Sequence, residues 1–423
     1  MTRQILRRVS AEAVTQTQPI RSLPNVDVII NEVRRDGDEA LARFAAQFGD
    51  PRPRRIQSDE LIAAYERIDP ALRDALNCAC ARIRAFACVQ REAFLDVSVA
   101  ADNALIGHRI MPIRRVGAYI PGGRYPLPSS LLMSVVPARV AGVAHIVVCS
   151  PSEDPAMLAA AHIAGIAEFY LVGGAQAIAA LAYGTPTISP VDLIVGPGNA
   201  YVASAKRAVF GQCGIDALAG PSEILIIASN DADPEYVAAD ILAQCEHDVL
   251  ARAVLLSDDA AFVDAVNVEL ERQLLTLSTA PIAQEALAQS ICAVMPLAQA
   301  IDAANAVAPE HLHLQGARAE LLSNRAVAYG SLFIGAISAE AFGDYGLGPN
   351  HVLPTSGTAR FASGLSVLSF LTVRTFQQFT AAPSEPLIVQ TALLAQAEGL
   401  SAHRNAALLR GSYIGTSSPS LAS

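Results

Sequence analysis

Two hydrophobic rhythms divide the chain. In DVIINEVRRDGDEALARFAAQFGD, residues 27 to 50, apolar side chains return at helical spacing and a glycine stands near the end. LRDALNCACARIRAFACVQREAF, 72 to 94, reads as a second amphipathic helix, so residues 1 to about 100 are expected to be helical with a polar face. Cys78, Cys80 and Cys88 within it are expected as core filler.

From about residue 112 the rhythm shortens. The apolar runs VGAYI, HIVVC, EFYLV and DLIV alternate with the helical PAMLAAAHIAGI, AQAIAALAYG and NAYVASAKRAVFG. After residue 223 the alternation resumes, with the strand EILIIAS, a helix inside DADPEYVAADILAQCEHD and the strand RAVLLSDD. Continuously apolar strands between helices signal a parallel sheet covered on both faces. Two α/β units in tandem are therefore predicted. Asp233 is placed to cap the second unit's first helix, with Pro234 in its first turn and Glu235 at its positive end. Residues 366 to 410 read as helical again, and the Ser/Gly-rich end is expected to be disordered.

Composition narrows the function classes. A chain of 423 residues, 52% hydrophobic, can bury several cores. Its net charge of −10 and scattered basic residues argue against nucleic acid and anionic membranes as partners, since both need a positive patch. Lys206 is the single lysine and so the single candidate for lysine chemistry. Seven cysteines without a C-x-x-C pair suggest reduced, cytoplasmic thiols. MTRQILRRVSAEAV has no signal-peptide core, and LLMSVVPARVAGVAHIVV is too interrupted by Pro137, Arg139 and His145 to span a membrane.

Candidate chemistry lies in four polar clusters. APEHLHLQ, 308 to 315, sets Glu310 beside His311, with His313 two residues on; it is either a polar strand or an acid–base pair. Gln244 and His247, three apart in QCEHD, share a face of a helix end; they suit a metal, or His247 merely suits the helix C-terminus. The loop-rich EAFGDYGLGPNHVLPTSGTARF, 340 to 361, holds Asp344, Tyr345, Asn350 and His351, where Asp344 is equally a turn residue. AEGLSAHRNAALLR carries Glu398 and His403 near a helix that Ser401 could cap. Gln, His, Asp and His together would make an N/O site suited to zinc. The glycine turns PGG (121–123), GGAQ (173–176) and GPGN (196–199) follow strands and could bring N–H groups to a phosphate, but none is G-x-G-x-x-G. Spacing alone therefore does not support a nicotinamide cofactor. GPSE, 220 to 223, is a turn that could deliver Ser222 to a cleft.

Taken in order, VGAYIPGG, VGGAQAIAALAYGT, VGPGNAYVASAKR, IDALAGPSE, LAQCEHD, APEHL, GDYGLGPNHVLPT and LSAHRNA resemble the histidinol dehydrogenase family, from about residue 15 to 410. The resemblance implies an α/β fold of two tandem incomplete Rossmann-like parallel-sheet domains with a helical N-terminal segment and a helical C-terminal arm. Its parts would be 1–13; a main domain of 14–118 and 224–365; an NAD-binding domain of 119–223; and an arm of 366–423 with a disordered tail from about 411. It implies oxidation of L-histidinol to L-histidine through the aldehyde, with one zinc per subunit and two NAD used in succession.

The family's zinc ligands would fall on Gln244, His247, Asp344 and His403, and its acid–base residues on Glu310 and His311. Substrate contacts would be Ser222, His351 and Glu398 besides His311 and the metal ligands, and dinucleotide contacts Tyr119, Gln176 and Asn199. The family binds its dinucleotide without the usual glycine fingerprint. His313 would be a bystander. An intertwined cytoplasmic homodimer with shared active sites is implied, with no nucleic acid and no membrane as partner.

Cys245 and Leu347 stand where small residues are usual, and the loop PGGRYPLP is a variant. Three rivals remain. One is a paralogue oxidising another small hydroxylated metabolite. Another is a zinc hydrolase with Glu310 as base. The third is a non-catalytic binding protein, which has no need of an adjacent Glu–His pair.

Overall fold

The computed structural model describes residues 5–15, 24–122 and 125–411; the tail expected to be disordered lies almost wholly outside these residues. Contacts divide the chain into two compact units, 1–91 with 113–370, and 92–112 with 371–423.

The first unit contains two six-stranded sheets. One runs, in order, Arg7–Arg8, Ile291–Val294, Arg252–Ser257, Glu223–Ala228, His311–Gln315 and Ser331–Ile334, every neighbouring pair parallel. Apart from the edge strand Arg7–Arg8, the chain enters at the central Glu223–Ala228, winds outward to Ile291–Val294, then crosses to the other side with His311–Gln315. The direction of winding thus reverses between Glu223–Ala228 and His311–Gln315. The second sheet repeats this plan as Arg54–Ile56, Glu168–Leu171, His145–Ser150, Arg115–Tyr119, Leu193–Val195 and Gly214–Ile215, with Arg54–Ile56 antiparallel. Its reversal falls between Arg115–Tyr119 and Leu193–Val195. Arg54–Ile56 and residues 115–118 join this sheet from the segment 14–118, which the resemblance groups with 224–365. Helix Asp27–Asp36 also packs here, with Ile30 and Val33 in one core with Ile178 and Leu181. Fully burying each such side chain contributes about 1.5–3 kcal/mol.

The strand cores are apolar on both faces, as the continuous runs predict: Leu225 and Ile227 face one cluster, Ile224 and Ile226 the other. Asp233 caps helix Pro234–Cys245 by accepting the Glu235 N–H at 2.9 Å. Lys206 is buried and structural. Its Nζ donates to the Gly196 carbonyl at 2.8 Å and pairs with Asp216, which also accepts the Gly196 N–H. The GPGN turn is thereby tied down. A side chain at Gly196 is excluded twice, by a φ of 110° and by the Tyr119 carbonyl, with which its Cβ would collide.

Strands at 97–101 and 371–379 correct the helical expectation, which holds for 385–397 and 401–410. Val97–Ala101, Ala104–Pro112 and Leu371–Phe379 form an antiparallel sheet with Ala104–Pro112 in the middle. Asp102 and Asn103 turn its hairpin, both at positive φ, as the two-residue turn demands. Helices Glu385–Ala397 and Ser401–Arg410 follow. Of the three cysteines expected as core filler, only Cys80 on helix Pro70–Glu92 is buried; Cys78 and Cys88 lie on its exposed side. All seven cysteines are free. No helix among the described residues is long and apolar enough to cross a membrane.

Candidate active site

Helix Leu297–Val307 ends on Ala308 in the left-handed region, and this turn feeds Pro309 and Glu310 into the strand His311–Gln315. Glu310 and His311 therefore stand at the amino end of that strand. Ser222 stands at the amino end of the neighbouring Glu223–Ala228. Both flank the winding reversal, where a crevice is expected, but at the amino rather than the usual carboxyl edge.

Glu310 is 5% exposed. Its Oε2 accepts the Glu223 N–H at 2.9 Å. Burial pushes its carboxyl well above the ordinary value, while the Glu223 N–H and the Ser222 hydroxyl pull it back. Burial depresses His311 to about 3, so the imidazole is neutral. A neutral imidazole is the form that accepts a proton. The His311 Nδ1 lies 3.4 Å from Glu340 Oε1 and 3.8 Å from Glu310 Oε2.

Glu340 is the residue that sequence reading passed over. It opens the short helix Glu340–Tyr345, one turn before Asp344, and is 1% exposed. Neither carboxylate oxygen has a hydrogen-bond partner among the described residues. The spacing of two acids four apart was the available signal. Burial, then the charges of Asp344, Glu310 and Asp240, hold Glu340 well above the ordinary range.

His247, Glu340 and Asp344 bring ligand atoms within 4.8 Å of one another. His247 Nε2 is 3.8 Å from Asp344 Oδ2. Burial raises Asp344 to about 6, with His247 opposing. Gln244 is wholly buried, and both atoms of its amide lack partners among the described residues. Unpaired buried amide and carboxylate groups are costly unless something polar completes them. A divalent cation fits this set, because it would satisfy the orphaned oxygens and remove the repulsion among the acids. Cys245 points elsewhere: its thiol is in the apolar core, 3.8 Å from Ser290 Oγ, and burial raises it to about 12. Leu347 is exposed.

His351 Nδ1 donates to the Asp344 carbonyl at 2.9 Å, so its Nε2 is the acceptor facing the Ser130 hydroxyl at 3.0 Å. Asn350 donates to the Met133 carbonyl at 2.7 Å. Both contacts tie loop 340–361 to helix Pro128–Ala141, which belongs to the second sheet. Ser130 carries no sequence signal beyond helical position.

Tyr119 ends a strand of the second sheet, and Gln176 and Asn199 follow the carboxyl ends of two others; Tyr119 and Asn199 flank its winding reversal. The Gly174 N–H donates to the Tyr119 hydroxyl at 3.1 Å. Gln176 donates to Asp50 at 3.2 Å, and its buried Oε1 has no partner among the described residues. Asn199 caps helix Ala200–Val209 by accepting from Tyr201 and Val202. Glu398 and His403 belong to the second unit. Glu398 is the C-cap of Glu385–Ala397, and the exposed His403 lies in the first turn of Ser401–Arg410. Leu400, not Ser401, is that helix's N-cap, and no side chain caps it.

The sequence model of histidinol dehydrogenases matches residues 12–411. The chain is 45% identical over 397 residues to the histidinol dehydrogenase of Synechococcus sp., covering 91% of each. It is 44% identical over 395 residues to that of Ruegeria pomeroyi, covering 90% of this chain and 91% of the relative. The crystal structure of histidinol dehydrogenase from Elizabethkingia anophelis superposes with a TM-score of 0.90 at 33% identity, covering 97% of this chain and 99% of that one.

Proposed function

The chain belongs to the histidinol dehydrogenase family, an oxidoreductase of histidine biosynthesis that acts on histidinol, and we propose that it carries out two NAD-linked oxidations in one site, histidinol to the aldehyde and aldehyde to histidine. The observation that carries this reading is the buried, neutral His311 beside Glu310, one strand-width from Ser222 and within reach of the Glu340–Asp344 carboxylates.

Gln244, His247 and Asp344, with His403, would hold a zinc ion, whose contribution would be to orient the substrate's imidazole and amine. The chain's own residues then divide the proton work. The carboxylate of Glu340 faces His311 Nδ1, which leaves Nε2 to take the alcohol proton as hydride passes to NAD. The 3.4 Å contact is long for a hydrogen bond and would tighten once substrate is seated. In the second oxidation Glu310 takes a proton from the water that adds to the aldehyde. His311 then accepts the hydrate's hydroxyl proton as the second hydride leaves. Ser222, His351 and Glu398 would contact substrate. Tyr119, Gln176 and Asn199 would line the dinucleotide side, a reading supported by their place at the carboxyl edge of the second sheet.

His403 and Glu398 would reach the site from a second subunit in an intertwined dimer. Helix Glu385–Ala397 buries only Ala392 and Ala395, while Leu393 and Leu394 are exposed, as expected of an arm that covers its apolar side on another chain. The deciding experiment is absorbance in the NADH band with L-histidinol and NAD. Two NADH per histidinol consumed is expected. No NADH, with substrate hydrolysed or merely bound, would overturn the reading.

A further inference from the structure

We propose that Asp240, His313 and Gln315 form a buried latch that sets the ligand-bearing helix against the base-bearing strand, making them positioning residues for the reaction; the proposal rests on the functional reading above. His313 is then not a bystander. His311, His313 and Gln315 are alternate residues of one strand, so their side chains share a face. Asp240 lies four residues before Gln244 on helix Pro234–Cys245, on the same side of that helix. Gln315 Nε2 donates to Asp240 Oδ2 at 2.7 Å and to His313 Nδ1 at 3.3 Å, so it bridges the helix's carboxylate and the strand's imidazole. His313 Nε2 faces the Gly335 carbonyl at 3.0 Å, and a carbonyl only accepts, so Nε2 carries the proton there. The three residues are 6%, 0% and 0% exposed. The Phe333 ring packs against both imidazoles, at 5.9 Å from each.

Apolar contacts alone would hold the helix to the sheet, as they do in the clusters around it. Directional bonds add what apolar packing leaves loose: the helix's rotation and its height along the strand. Register is the best-attested use of a buried polar group. One turn along the helix from the latch, that register decides where Gln244 and His247 stand relative to His311. Groups that orient metal ligands from behind typically change metal affinity 10–100-fold when removed.

The test compares His313→Asn with His313→Gln. An asparagine amide oxygen can occupy the place of Nδ1 and keep accepting from Gln315; a glutamine amide nitrogen can occupy that of Nε2 and keep only the Gly335 contact. Zinc affinity by chelator competition, KM and kcat for histidinol, and the thermal midpoint are measured on the full chain. H313Q should weaken zinc binding about 10-fold or more and raise KM. H313N should hold zinc better than H313Q, even though its smaller side chain lowers the midpoint further. If zinc affinity instead follows the midpoint, with H313Q the better binder, the residue is packing only and the latch is refuted. Should either variant fail to fold, Gln315→Met removes the bond to Asp240 at nearly constant volume; unchanged zinc affinity there refutes the latch equally. A wild-type chain that neither holds zinc nor reduces NAD with histidinol overturns the functional reading and the latch with it. A competent wild type with indifferent variants overturns the latch alone.

Discussion

His311 Nδ1 and Glu340 Oε1 lie 3.4 Å apart inside the protein, and neither has a hydrogen-bond partner among the described residues. An imidazole with one nitrogen against a carboxylate has its other nitrogen free for the reaction, and the carboxylate stabilises the imidazolium formed when the proton arrives. Glu340→Gln keeps the shape and removes the charge. On the proposed mechanism both oxidations use His311, so kcat should fall in both, by roughly 10² at the lower end of what a positioned base contributes. Zinc content should stay at wild-type level. Loss of zinc in E340Q would instead make Glu340 a metal ligand, which its place beside His247 and Asp344 also permits.

Glu310→Gln should separate the two half-reactions. Only aldehyde oxidation needs an activated water, so turnover of histidinaldehyde should fall by about 10²–10⁴-fold and histidinol oxidation by less. Equal losses in both steps, measured with each substrate in single turnover, would reassign Glu310 to a role shared with His311.

Much of this site was legible in the sequence because its parts are local in sequence: Glu310–His311 at one strand end, and Gln244 in the last turn of a helix with His247 just past its C-cap, where a longer helix was expected. What was not legible depends on distant segments meeting. Glu340 gains meaning only when its helix is folded over His311, and Ser130 only when helix Pro128–Ala141 meets His351. The α/β core was readable because its strands are continuously apolar. The antiparallel sheet was not, although Leu371–Phe379 is rich in β-branched and aromatic residues. It is half-exposed, and it pairs with residues 104–112, far back in the chain.

Metal dependence should carry a pH signature. Burial raises Asp344 to about 6 in the folded chain, above its ordinary 3.8. The folded state therefore holds that proton more tightly than the unfolded state. Its contribution to the metal-free chain is fully present below the unfolded pKa and is lost as pH rises through about 6. Glu310 and Glu340 shift in the same direction. A cation repays that loss only where the acids are ionised. The rise in thermal midpoint on adding zinc to chelator-stripped protein should thus be larger at pH 8 than at pH 5. A zinc-induced rise independent of pH would place the metal elsewhere. Cys245→Ala should leave zinc content unchanged, because that thiol sits in the core beside Ser290.

The last prediction concerns the arm. His403 sits exposed on helix Ser401–Arg410, within a unit whose helices leave Leu393, Leu394 and Leu409 uncovered. A two-helix arm buries too little by itself to be stable, so its apolar side needs another surface. If that surface is a second subunit, each site is completed by the partner's arm. His247→Ala and His403→Ala chains, each inactive alone, are then mixed and refolded together. In a mixed dimer, one site receives both lesions and the other neither. Half of a statistical population is mixed and half of its sites are intact, so roughly a quarter of wild-type activity should return. Zinc should return in the same proportion, which separates restored sites from residual activity. Mixed dimers, proven by differently tagged chains, that remain inactive and zinc-free would place His403 in its own chain's site.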